Sequence, residues 1–229
     1  MVLPASGLYD LGKLFDIHPL HLKEAPLTNK IAFISGILGP LLVFLITILG
    51  GANFPNYSHA RQFISELGAF GAPNARIINL GGFLPAGLLI SAFAFLAWRS
   101  LPRTRGTTLG MFGLALFALG YIAAAFFPCE PGCRPAEPSL SQALHNLLGL
   151  AGYFTAPLSL FALGSEARKW PQGIPLSTLG FICSGLSLLG LLGMLSEFTY
   201  VGLAQRILEA SVLTWIVTCA FYVNKVVKD

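Results

Sequence analysis

Residues 31–51 read IAFISGILGPLLVFLITILGG, an uncharged apolar run. A helix needs about 20 such residues to cross the hydrocarbon core of a bilayer, so this run decides the fold class. Five more stretches repeat it, and the expected spans are Ile31–Gly51, Ile78–Trp98, Thr108–Phe127, Ala143–Ser165, Ile174–Ser196 and Leu203–Asn224. None contains Lys or Asp, and the only charges inside them are Arg206 and Glu209. The composition agrees. Of 229 residues, 55% are hydrophobic and 10% charged, against roughly 25% charged in a soluble domain, and the mean hydropathy is +0.72. This excludes a soluble enzyme, a nucleic-acid-binding module and a disordered chain. The expectation is an all-α, six-helix transmembrane bundle spanning residues 31–229, preceded by a polar tail over 1–30. Asp10, Asp16 and Glu24 make that tail unlike a signal peptide.

Basic residues orient such a bundle, because they stay on the cytoplasmic side. Ten of the fourteen (Lys13, Lys23, Lys30, Arg99, Arg103, Arg105, Arg168, Lys169, Lys225, Lys228) fall on one side. Arg61, Arg76, Arg134 and Arg206 fall on the other. Both termini are therefore expected in the cytoplasm, in a plasma or bacterial inner membrane. Cys129 and Cys133 lie in FFPCEPGC, on the expected outer side, where a Cys-x3-Cys pair across a Pro-Gly turn can close as a disulfide. Unpaired thiols or half of a metal site remain alternatives. Gly36/Gly39, Gly106/Gly110/Gly113, Gly149/Gly152 and Gly190/Gly193 are spaced to let helices approach closely.

The polar residues near the spans gather on the expected outer side. After the first span, NYSHARQFISELGAFGAP (residues 56–73) predicts a short amphipathic helix, capped at Asn56 or Ser58 and closed by Gly68, Gly71 and Pro73. Tyr57, Ala60, Phe63, Ile64 and Leu67 fall on one side of it; His59, Gln62 and Glu66 align along the other. Such an edge either meets water or turns inward over a cavity. His145 and Asn146 open the fourth span, Tyr200 precedes the sixth, and Arg206 and Glu209 lie in its first turns, three residues apart and in reach of each other. Ionisable groups at membrane depth are costly and mark either a structural pair or a function.

The residues expected to carry chemistry are His59, Glu66, His145 and Glu209, because His beside Glu suits proton transfer. Ser65, Arg206, Tyr200, Gln62 and Asn146 are expected to contact a bound molecule, Arg206 being suited to a phosphate or carboxylate. Two histidines and a carboxylate can furnish zinc ligands. No compact metal motif exists, so no metal is assigned, and His59 and His145, with Glu66 or Glu209, are the residues from which such a site could start. No cofactor motif is present. These observations point to binding or modification of a membrane lipid or other amphiphile. A small-solute or proton-coupled transporter and a non-catalytic assembly protein are the alternatives, and neither nucleic acid nor a particular oligomeric state is implied.

The ISELG element (Ile64, Ser65, Glu66, Leu67, Gly68), the Cys129–Cys133 loop and His145 together resemble the bacterial and archaeal membrane family known as domain of unknown function 998. The resemblance runs from the first span to the end of the chain. It implies a polytopic membrane protein and assigns no activity. The I-S-acid-x-G element is also similar to one in eukaryotic six-span proteins of the GPI-anchor-remodelling and autophagy-modulator group, which hints at lipids.

Overall fold

A computed structural model describes residues 26–196 and 198–225 of the chain. The expected polar tail, apart from its last residues, and Lys228 lie outside them. Six helices are long and apolar enough to cross a membrane: α1 Leu27–Ala52, α2 Ala75–Ser100, α3 Arg105–Phe126, α4 Leu140–Ala167, α5 Ile174–Leu195 and α6 Val201–Lys225. Among the described residues there is no strand. The protein is thus an all-helical, multi-pass membrane protein.

Each helix packs against the next in sequence, and α6 returns to α1, closing a ring. Short connections impose this order from α2 to α3 and from α4 through α6, because consecutive antiparallel helices become neighbours. The longer α1–α2 and α3–α4 segments fold over the end that carries Cys129 and Cys133. Phe93, Leu114, Leu160, Leu208, Val212 and Trp215 fill the interior and are almost wholly inaccessible. Phe44, Phe112, Leu158 and Leu189 stand more than half exposed on the outside. An exposed leucine forgoes roughly 1.5–3 kcal/mol of transfer free energy in water, and a ring of them is stable only against lipid. One end of the bundle carries the starts of α1 and the end of α6 (the terminus end); the other carries Cys129 and Cys133 (the cysteine end).

Local chemistry fixes the helix ends. Thr104 and Ser139 cap α3 and α4, their hydroxyls accepting from the backbone N–H of Thr107 at 3.0 Å and Gln142 at 3.3 Å. Helix α2 opens with a wider π-helical stretch over Ile78–Phe83. Pro85, two residues beyond, lacks an N–H and crowds the carbonyl four residues back, so the ladder shifts register there. That stretch turns Asn79 inward, and its Nδ2 donates to the Gly68 carbonyl at 2.9 Å.

The segment between α1 and α2 departs from expectation. The amphipathic helix predicted there is not formed. A turn over residues 59–61 and a bend at Gln62 come first, and a five-residue 3-10 helix follows over Ile64–Gly68. The reason is where its backbone hydrogen bonds go. Gln62 Oε1 accepts from Ser58 N at 2.8 Å, Glu66 Oε1 from Phe63 N at 2.8 Å, and Gln205 Oε1 on α6 from Ile64 N at 2.6 Å. Leu203 N donates back to Ala60 O at 2.9 Å. Side chains and a neighbouring helix satisfy groups that a continuous helix would have paired within itself. The segment is consequently buried: Ile64, Glu66 and Leu67 are each under one-tenth exposed, Glu66 included.

Candidate functional site: a cavity at the cysteine end

The Ile64–Gly68 turn and the cysteine loop close over a cavity of about 290 Å³ between α3, α4 and α6. The loop is fastened there by hydrogen bonds that sequence reasoning did not anticipate. Gln142, fully buried, accepts from Glu130 N at 2.8 Å through Oε1 and donates through Nε2 to Asn146 Oδ1 at 2.8 Å and Cys133 O at 3.3 Å. Phe70 N donates to Cys129 O at 2.9 Å, tying the loop to the α1–α2 segment. Cys129 and Cys133 stand at disulfide distance, their Cα atoms 5.0 Å apart, and Ser65 Oγ lies 3.4 Å from Cys133 Sγ.

Glu209 lies in the cavity lining, 3% exposed. The rise of a helix puts it about 12 Å along the axis from Val201. Its Oε2 accepts from Tyr121 Oη at 2.6 Å; its Oε1 accepts from Tyr153 Oη at 2.5 Å and from Gln205 Nε2 at 3.2 Å. Gln205 Nε2 also donates to Tyr153 Oη at 2.6 Å. That contact uses the hydroxyl as an acceptor, so its proton points at the carboxylate. Tyr121, Tyr153 and Gln205 can each donate to the Glu209 carboxyl, so its oxygens are met without a cation in contact. On the terminus side, Val212, Trp215, Ile216 and Cys219 follow on α6 with no exposed surface.

The expected pairing of Arg206 with Glu209 is not made. Arg206 turns away and donates to Gln62 O, Gly202 O and Tyr57 Oη at 2.9, 2.9 and 2.7 Å, with His59 Nδ1 3.1 Å distant. The spacing allows the pair, but carbonyls of the docked segment and of its own preceding turn capture the guanidinium first. No ion pair reaches Glu209 among the described residues; the one between Glu166 and Lys169, at 3.2 Å, is at the terminus end.

The expected site residues therefore divide into two groups. Ser65, His145, Asn146 and Glu209 line the one cavity. His59, Gln62, Glu66 and Arg206 form a network on the far side of the Ile64–Gly68 turn, in which Gln62 Nε2 donates to Glu66 Oε2 at 2.9 Å. Burial raises the Tyr57 hydroxyl pKa above its ordinary value, and burial with the nearby Arg206 charge lowers that of His59. Glu66 caps its own turn. Tyr200 belongs to neither group; it meets Phe198 edge-on and sits under Arg61 at the surface. His59 and His145 stand in different groups and share no ligand geometry.

His145 Nδ1 is 2.9 Å from Phe127 O. That contact needs a proton on Nδ1, so in the neutral ring Nε2 is the bare acceptor. Ligand atoms of Cys129, Cys133 and His145 lie within 4.8 Å of one another, the group best placed to meet a metal ion, although joined sulfurs offer no thiolates. Tyr121, Tyr153 and Gln205 were not anticipated. Their signal was present: a hydroxyl or amide inside an apolar span must find a partner, and Gln205 and Glu209 are one helical turn apart.

The arrangement defines a six-span membrane protein with one polar-floored cavity near one face. The chain belongs to the family described as Protein of unknown function (DUF998), whose profile matches residues 37–222, from within α1 to the last turn of α6. No curated protein and no solved structure matches it.

Proposed function

We propose that this protein binds a lipid or other amphiphile, admitted from the outer leaflet of the cell membrane. The cysteine end faces away from the cytoplasm and both termini lie within it. The observation that carries this reading is Glu209: a buried carboxyl that no ion pair reaches among the described residues, lining a cavity whose other walls include Phe83, Phe117, Leu150, Met194 and Leu195. Exposed Asn146 and Leu195 stand among its lining residues, the latter on the lipid-facing surface. A polar head can thus sit on Glu209 while its chain passes into the bilayer. The volume is close to the lower bound of ligand pockets, about 300 Å³, which suits a head group and the first part of a chain. Glu209 and the Nε2 of His145 are the groups that could move a proton on a bound head. The ten-to-four distribution of basic residues and the disulfide-distance cysteines support the orientation.

Gly149 supplies the test. It lines the cavity, and a Cβ placed on it meets nothing within 4 Å. Gly149→Phe should fill the cavity with little change to the helices. Mass spectrometry of lipids that purify with the protein should find a bound species in the wild type and lose it in Gly149→Phe. Equal lipid content in the two would contradict the proposal.

A further inference from the structure

Four aromatic rings share the cavity lining with the Glu209 carboxyl, and the reading above gives them no part in choosing a head group. Phe83, Phe117, Tyr121 and Tyr153 all line the cavity. Phe117 meets Tyr121 edge-on at 5.5 Å between centroids and Tyr153 at 6.1 Å, while Phe83 and Tyr121 are 6.1 Å apart. Two of the four hold the carboxylate through their hydroxyls.

This set selects among head groups. An anion would face a buried carboxylate and be repelled. A sugar needs several free hydrogen-bonding groups around one point, yet Glu209 already receives three hydrogen bonds and its nearest hydroxyls, those of Tyr121 and Tyr153, are committed to it. A hard metal ion needs about six oxygens, far more than this floor supplies. An organic ammonium needs only negative charge and ring faces, and both are here. At the other end of the same lining, exposed Arg134 lies 5.0 Å over the Phe63 ring and donates through Nη2 to Met194 O at 2.9 Å. Its remaining N–H groups suit a phosphate.

We propose that the cavity binds an organic ammonium group, with Glu209 as its counter-ion and Phe83, Phe117, Tyr121 and Tyr153 as an aromatic enclosure. The inference rests on the cavity being an amphiphile site. The ammonium is borne either by a zwitterionic phospholipid head, whose phosphate meets Arg134, or by a free quaternary amine.

The experiment is native mass spectrometry of the full-length protein in a non-ionic detergent. The probes are dodecyltrimethylammonium, dodecylphosphocholine, decyl phosphate, monolauroylglycerol and choline. Dodecyltrimethylammonium should bind one per chain, at least tenfold more tightly than decyl phosphate. Glu209→Gln, which keeps the shape of the side chain, should weaken it at least tenfold. Phe117→Leu, a second variant in case the first does not fold, should weaken it severalfold. Arg134→Gln should weaken dodecylphosphocholine and leave dodecyltrimethylammonium unchanged if the natural head is a phospholipid. Competition by choline alone supports the free amine instead. Wild-type affinity for the cation in both Glu209→Gln and Phe117→Leu, or preference for decyl phosphate, overturns the proposal. If monolauroylglycerol binding is then still abolished by Gly149→Phe, the ammonium class falls and the amphiphile site stands. Indifference of every probe to Gly149→Phe overturns both.

Discussion

Gly164 and Gly149 lie on the same helix, α4, and serve opposite purposes. Near the terminus end, Gly164 faces Gly180 of α5, and a Cβ on Gly180 would come within 2.8 Å of the Gly164 Cα and 3.2 Å of the Leu160 carbonyl oxygen. The backbones touch, and nothing but hydrogen fits between them. Four turns away, at the cysteine end, a Cβ on Gly149 meets nothing within 4 Å. The α3 backbone still comes close here, a Cβ on Gly120 lying 3.6 Å from the Gly149 Cα. On the side of Gly149 that faces the cavity, however, Tyr121, Tyr153, Gln205 and Glu209 join the helices through side chains and leave space between them. A small residue lets a neighbouring helix approach, and where the added Cβ would point between helices rather than at one, as at Gly149, it leaves room instead.

Substitutions break this comparison in a definite order. Gly180→Leu should cost most, about 3 kcal/mol or more, because the obstructing atoms are backbone and cannot swing aside. It is expected to abolish the monodisperse species in size-exclusion chromatography. Glu209→Ala comes next, at about 2 kcal/mol, since it leaves the Tyr121 and Tyr153 hydroxyls without their acceptor. Thermal unfolding in detergent should show the loss, and Glu209→Gln should recover most of it. Glu66→Ala removes the acceptor of Phe63 N and of Gln62 Nε2 and should cost about 1 kcal/mol. Hydrogen exchange should rise at Phe63 and its neighbours while the helix interiors stay protected. Gly149→Phe should change stability by no more than about 0.5 kcal/mol, despite being the largest increase in volume of the set. A melting-temperature drop comparable to that of Glu209→Ala would show that the cavity wall is packed after all.

The two ends also differ in how far the sequence discloses them. Apolar runs of about 20 residues are self-sufficient, because a helix satisfies its own backbone, and all six helices could be read directly. The segment around ISELG could not. Its periodicity reads as helical, but its N–H groups are met by Gln62, Glu66 and distant Gln205, and a periodicity carries no information about partners 141 positions away. Glu209 was conspicuous as a carboxylate inside a span. Its partners were not, because Tyr121 and Tyr153 pass for ordinary aromatic members of apolar helices. Arg206 shows the converse failure: the i, i+3 spacing to Glu209 was real, yet closer acceptors at Gln62 and Tyr57 claim the side chain.

The central claim is a site open at the cysteine end and sealed toward the termini. Cys219, fully buried on α6, is a native thiol on the sealed side, and Gly149→Cys places a thiol on the open wall. The decisive measurement is the reaction of a membrane-impermeant maleimide with the Gly149→Cys protein in intact cells and in inverted membrane vesicles. The account predicts rapid modification at position 149 in cells, little in inverted vesicles, and none at Cys219 in either. Modification of Cys219, or of position 149 from the vesicle side alone, would contradict it.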